Sequence, residues 1–139
     1  MITTTSSFDE RITPHIQLGE LALWVEARRF DHQHQIDTAR ELCEFLERVR
    51  RNLGNLPIII TSGYRPPAVN RSVGGASASE HLYSSAGDGA VDFYVKGASI
   101  NAVQSFCDRF WPYSVGYGAP RGFVHLGRRA DGQRRRWDY

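Results

Sequence analysis

The chain has 139 residues, 41% of them hydrophobic and 23% charged, with a formal net charge of +2 when the histidines are neutral. That length fits one domain, residues 1–139, with a modest core, and the composition excludes a disordered or fibrous chain. So small a net charge gives no global pull toward nucleic acid, and no stretch is apolar enough for long enough to span a bilayer.

The opening segment MITTTSSFDERITPH carries acids and lacks an apolar run of signal-peptide length. The expectation from this segment is a protein that stays in the cytoplasm, or is released by lysis or as part of a phage particle. The first 35 residues read as turn-rich chain with one short helical patch, LGELALWVEARRF. Thr38 followed by Glu41 is a capping-box signal and predicts a helix over about 39 to 53. Leu42, Phe45, Leu46, Val49 and Leu53 then share one stripe, with Glu44, Glu47, Arg48, Arg50 and Arg51 opposite. Gly54 ends that helix.

PIIIT, residues 57 to 61, is β-branched and predicts a buried strand. AVDFYV, 90 to 95, predicts a second strand whose pleat sets Asp92 on the face opposite Val91 and Phe93. Ser99 caps a second amphipathic helix with Ile100, Val103, Phe106, Cys107 and Phe110 on its stripe. Short strands are expected near Ser114 to Tyr117, Gly122 to Leu126 and Arg135 to Asp138. Helices followed by a run of strands predict an α+β fold, a small antiparallel sheet packed against helices. Cys43 and Cys107 fall in the two helices and read as buried free thiols.

His81 precedes a loop leading into the Asp92 strand, and His125 lies mid-strand in GFVHLG. Two histidines and a carboxylate on rigid elements compose a catalytic zinc site with one position open to water. Taken singly, each has a plainer reading as a hydrogen-bonded core or surface residue. Asp88 competes with Asp92 as the carboxylate, but it sits in the turn-like SSAGDG, whereas Asp92 is held by a strand. His32 and His34, among Asp31, Gln33 and Gln35, look like polar loop capable of adventitious metal binding, and His15 carries no signal. Arg65 follows the first buried strand directly, where its guanidinium could clamp a substrate carboxylate or pair with an aspartate. The cluster Arg128, Arg129, Arg134, Arg135 and Arg136 reads as a solvated strand edge or a contact for an anionic polymer.

In order along the chain, SGYR, NRSVGGASASEH, GAVD and GFVH resemble the motifs of the zinc D-Ala-D-Ala carboxypeptidase family of peptidoglycan peptidases. The family includes D,D-carboxypeptidases, dipeptidases and the L-alanyl-D-glutamate endopeptidases of phage lysins. The resemblance covers about Pro57 to Tyr139. It implies the small α+β fold shared with the Hedgehog domain, one zinc ion, and a peptidoglycan peptide as substrate. By the same resemblance His81, Asp92 and His125 are the zinc ligands, Arg65 binds substrate, and Ser79 hydrogen-bonds near the substrate or a ligand. The family's first motif, SxHxxGxAxD, sets its two ligands seven residues apart. Here eleven separate His81 from Asp92, so strict spacing selects Asp88, and Asp92 requires a four-residue bulge in YSSAGD.

A metallopeptidase also needs a general base that takes water's proton and passes it to the leaving amine. The positions that supply it in relatives correspond to Gly122 and Phe123, which cannot titrate, and relatives of the FVHxD form carry an acid where this chain has Gly127. Glu80, Asp88 and Asp131 are the candidates to replace it. The sequence thus supports a zinc-dependent peptidase acting on peptidoglycan stem peptides. The missing base motivates a second reading, a non-catalytic zinc module that binds cell wall or a protein partner. A nucleic-acid binder using Arg134–Arg136 has no other support, and no nucleic-acid partner is expected.

Overall fold

The structure, a computed structural model, describes all residues from Met1 to Tyr139. A small antiparallel ribbon of β1 (Arg11–Thr13) and β2 (Ile16–Gln17) leads into a one-turn helix α1 (Leu18–Leu21). The long helix α2 (Gln33–Asn52) follows, then β3 (Ile58–Ser62), the short α3 (Pro67–Ser72), β4 (Gly89–Val95), α4 (Ile100–Phe110), β5 (Ser114–Tyr117), β6 (Val124–Arg128) and β7 (Arg135–Asp138). The main sheet has five strands in the order β3-β4-β6-β5-β7, antiparallel except for the parallel β5–β7 pair. This is the expected α+β architecture, with one strand pair of the opposite sense. No helix is long and apolar enough to cross a membrane.

The pleat sorts this sheet into two faces. Val91, Leu126 and Val115 are direct cross-strand partners, all fully buried, and share a core with Leu42, Leu46 and Val49 of α2 and Val103 and Cys107 of α4. Each such side chain contributes about 1.5–3 kcal/mol by leaving water. One residue further along each strand, the row changes to Asp92, His125 and Gly116, turned to the opposite face. Between Ile60 and Ser62 the β3–β4 register shifts by a bulge, and the Thr61 hydroxyl donates to the Asp92 carbonyl at 3.3 Å. Such a bulge re-aims the strand end, here the segment that carries Ser62, Gly63 and Arg65.

Several boundaries differ from the sequence reading. Helix α2 begins at Gln33, not near 39, because the Gln35 side chain accepts from the backbone N–H groups of Asp31 (2.9 Å) and His32 (3.0 Å). Thr38 is therefore inside the helix, its hydroxyl turned back to the His34 carbonyl at 3.1 Å. His32 and His34 belong to this helix start, not to a loop, with rings stacked at 5.4 Å. The strand placed at Gly122 to Leu126 runs instead from Val124 to Arg128, since Gly122 ends a short 3-10 turn at a φ of 91°. The first 35 residues are better ordered than turn-rich chain implies: Ile2, Ile12, Ile16, Leu18, Leu21 and Phe30 all enter the core. His15 anchors them, its Nδ1 2.7 Å from the Glu47 carboxylate, which also takes the Thr13 hydroxyl at 2.8 Å. Phe110 leaves its predicted stripe and lies 38% exposed under the Arg48 guanidinium. Cys43 and Cys107 are buried free thiols; burial raises both, Cys107 to about 12, which keeps them unreactive.

Candidate metal centre

The Asp92–His125 pair of the outward row forms one side of the site, and His81 reaches it from a 3-10 turn over Glu80–Leu82. Three local features fix that turn. The Ser79 hydroxyl accepts from the His81 backbone N–H at 3.2 Å, and the His81 carbonyl accepts from the Arg65 N–H at 2.8 Å. Tyr83 then reverses the chain at a φ of 49°, with its ring fully buried and its hydroxyl donating to the Ala90 carbonyl at 2.8 Å. The residues between Tyr83 and Gly89 loop outward, so the longer His81-to-Asp92 spacing is absorbed before the strand begins.

One ligand atom from each of His81, Asp92 and His125 lies within 4.8 Å of the others, and all three side chains are buried. His81 Nδ1 is 2.8 Å from the Gly63 carbonyl. A carbonyl only accepts, so Nδ1 carries the hydrogen and Nε2 presents its lone pair, an assignment made from the hydrogen-bond network. That Nε2 faces Asp92 Oδ2 at 3.3 Å. Two acceptors meeting in a buried site require a cation between them, whether a proton or a metal ion. His125 Nδ1 is 2.8 Å from Asp92 Oδ1, and its Nε2 is 2.8 Å from Glu80 Oε1. Two imidazoles and one carboxylate, each ring with its far nitrogen already engaged, fit a zinc ion's donor preference and its usual outer partners.

The charges agree with this geometry. Burial works against the His125 imidazolium, but hydrogen bonds to Asp92 and Glu80 outweigh it and raise the ring to about 9. Burial likewise opposes ionisation of Asp92, and its contacts with His125 and His81 prevail, holding it well below the usual carboxylate range. Glu80 is lowered in the same way: burial is overcome by His125 and Ser114.

The remaining candidate residues separate clearly. Asp88 stays in the outer loop, its carboxylate accepting from the backbone of Ser85 (3.1 Å) and Ala130 (2.8 Å), and it does not join the cluster. Asp131 is on the surface in a two-point pair with Arg135 at 2.9 and 2.6 Å. Glu80 alone of the three base candidates reaches the site. Arg65 lies beside it, with Nε donating to Ser62 Oγ at 3.2 Å and Nη2 3.8 Å from Asp92 Oδ2.

A cleft of about 710 Å³ opens over the cluster. Arg65, Arg121, Arg129 and Arg135 line it, and its only acids are Glu80 and Asp92. Phe123, Trp137 and Tyr139 build an aromatic wall, with Trp137 5.0 Å from the His125 ring and Phe123 5.0 Å from Tyr139. Gly116 makes this wall possible, since a Cβ there would stand 2.8–2.9 Å from the Tyr139 ring and Trp137 Nε1. Phe123, one of the two positions where the family resemblance implies a base, is thus a packing residue. The wall was not legible in the sequence, although RRRWDY sets its two aromatics, Trp137 and Tyr139, two residues apart and so on one face of a strand. Of the arginine run, Arg136 is tied to the Asp108 carboxylate and to the carbonyls of Asp108, Trp111 and Tyr113, so it is neither solvated nor free to meet a polymer.

Residues 14–127 match the family model described as Peptidase M15. No curated protein and no solved structure matches the chain.

Proposed function

The chain belongs to the peptidase M15 family of zinc-dependent peptidases, and from that premise we propose that it hydrolyses peptidoglycan stem peptides at the His81–Asp92–His125 cluster, in the manner of a D-Ala-D-Ala carboxypeptidase. The observation that carries the proposal is the buried facing of His81 Nε2 and Asp92 Oδ2 at 3.3 Å, beside His125 and open to a cleft. Zinc, when bound, supplies a Lewis acid that activates water and polarises the scissile carbonyl.

The chain's own groups do the rest. Both Nη atoms of Arg65 remain free of hydrogen bonds within the protein, so its guanidinium is available to a substrate carboxylate or carbonyl oxygen at the cleft. Arg65 and Arg121, the two cleft arginines not hydrogen-bonded to a carboxylate, favour an anionic peptide, and the aromatic wall excludes water from one side. Ser79 acts on the site through the His81 backbone.

The cleft also favours a second reading, a zinc-containing module that binds wall peptide or a partner without cleaving it. Gly122 and Phe123 offer no proton acceptor, and neither acid of the cleft is free: Asp92 lies among the ligands and Glu80 has both oxygens engaged. Incubation with sacculi and with a D-Ala-D-Ala-ended stem peptide, with and without chelator, decides between them. Chelator-sensitive peptide release supports the peptidase. Binding to sacculi with bound zinc and no release from either substrate supports the module.

A further inference from the structure

Glu80 belongs to the sequence's list of possible bases, yet its surroundings describe a different task. The residue is 5% exposed, and both carboxylate oxygens are engaged. Oε1 faces His125 Nε2 at 2.8 Å, while Oε2 accepts from the Ser114 hydroxyl at 2.6 Å and Arg129 Nε at 3.2 Å. The His125 ring stands between this carboxylate and the nitrogen that faces Asp92 and His81. Glu80 thus meets the ring at Nε2, while Nδ1 is the nitrogen turned to Asp92.

The sheet is built to admit it. Gly127 lies directly across from Ala90 on one side and Ser114 on the other. A Cβ at Gly127 would stand 2.3 Å from Glu80 Oε1, 3.0 Å from the Gly89 carbonyl and 3.1 Å from the Glu80 carboxyl carbon. Two small residues flanking a glycine leave a socket in the sheet face, and the Glu80 carboxylate fills it. The acid that holds His125 thus arrives from the loop before β4, not from β6 itself.

We propose that Glu80 is the positioning residue of His125, seated in a socket formed by Gly127 and Ser114. It fixes the ring orientation and the tautomer that turns Nδ1 toward Asp92 and His81, and it is not the general base. This rests on the metal-site reading above. A carboxylate behind a ligating histidine is typically worth about 10–100-fold in metal affinity.

The test is zinc affinity, measured by competition with a chromophoric chelator on the wild-type chain, Glu80→Ala, Glu80→Gln and Gly127→Ala, with the visible spectrum of the cobalt-loaded proteins alongside. Glu80→Ala is expected to bind zinc about 10–100-fold more weakly and to shift the cobalt bands. Glu80→Gln keeps a carbonyl acceptor for the ring N–H and recovers much of that loss. Gly127→Ala displaces the carboxylate and resembles Glu80→Ala although Glu80 is retained. Affinity and spectrum unchanged in folded Glu80→Gln and Glu80→Ala, with peptide release lost, would overturn the inference and make Glu80 the base. A wild-type chain that binds no zinc would instead overturn the metal-site reading on which the inference rests.

Discussion

The two histidines of the cluster are held by different kinds of group. His81 rests on a loop and is oriented by a backbone carbonyl, that of Gly63; His125 rests on a central strand and is oriented by a side chain, Glu80. In each case a glycine makes the contact possible. A Cβ on Gly63 would come within 2.2 Å of the Leu21 carbonyl oxygen, and one on Gly127 within 2.3 Å of Glu80 Oε1. The difference is in what can yield. At Leu21 the obstacle is main chain at the end of α1, whereas at Glu80 it is the end of a side chain. The orientation of His81 is therefore tied to the fold, and that of His125 can be tuned by single substitutions.

The largest effects come from breaking the cluster itself. His81→Ala is expected to abolish both zinc retention and peptide release, checked by metal analysis after dialysis and by the stem-peptide assay. Gly63→Ala tests the loop side of the comparison. It forces a side chain against backbone, with an expected loss of about 1–3 kcal/mol in urea unfolding and weaker zinc binding as the carbonyl holding His81 Nδ1 moves. Gly127→Ala, on the strand side, should spare stability more than Gly63→Ala, because the Glu80 carboxylate can swing away.

The charges sharpen the same contrast. His125 is raised from 6.5 to about 9 in the folded chain. A raised histidine adds stability that is complete below its unfolded pKa and disappears as the pH climbs through its folded pKa. Chelator-treated protein should therefore lose stability between pH 6.5 and about 9, by an amount on the order of 3 kcal/mol. Urea midpoints across that range check this, and Glu80→Gln should flatten the slope. Zinc loading should also flatten it, since a ligating ring must be neutral at its donor nitrogen. The smallest effect is expected at Asp88 and Asp131: Asp88→Asn and Asp131→Asn should leave zinc affinity within about twofold of wild type, as surface substitutions away from a site usually do.

What the sequence showed followed from periodicity. The alternation in AVDFYV set Asp92 apart from Val91 and Phe93, and the structure puts those two in the core and Asp92 with the histidines. The spacing of apolar residues in α2 likewise marked Leu42, Leu46 and Val49 as its buried stripe. What it hid depends on contacts between distant segments. Glu80 and Asp88 were indistinguishable as acids in a polar stretch, yet one is buried behind His125 and the other is bound to the Ala130 N–H. Gly127 read as a missing acid; in the fold it is the space a different acid occupies. His15 gave no signal because its partner, Glu47, read as part of the polar face of α2, and no local pattern marks a contact 32 residues away; in the fold Glu47 is buried. The parallel pairing of β7 with β5 escaped prediction for the same reason: local pattern marks a strand but not its neighbour.

The account rests on one ion held by three residues from separate elements. The most direct test is the zinc content of purified wild-type protein and of Asp92→Asn after exhaustive dialysis, both shown to be folded by circular dichroism. The account predicts about one zinc per wild-type chain and none in the variant, as expected when one of three protein ligands is lost. Folded wild-type protein without zinc, or zinc retained at full stoichiometry by Asp92→Asn, would contradict it.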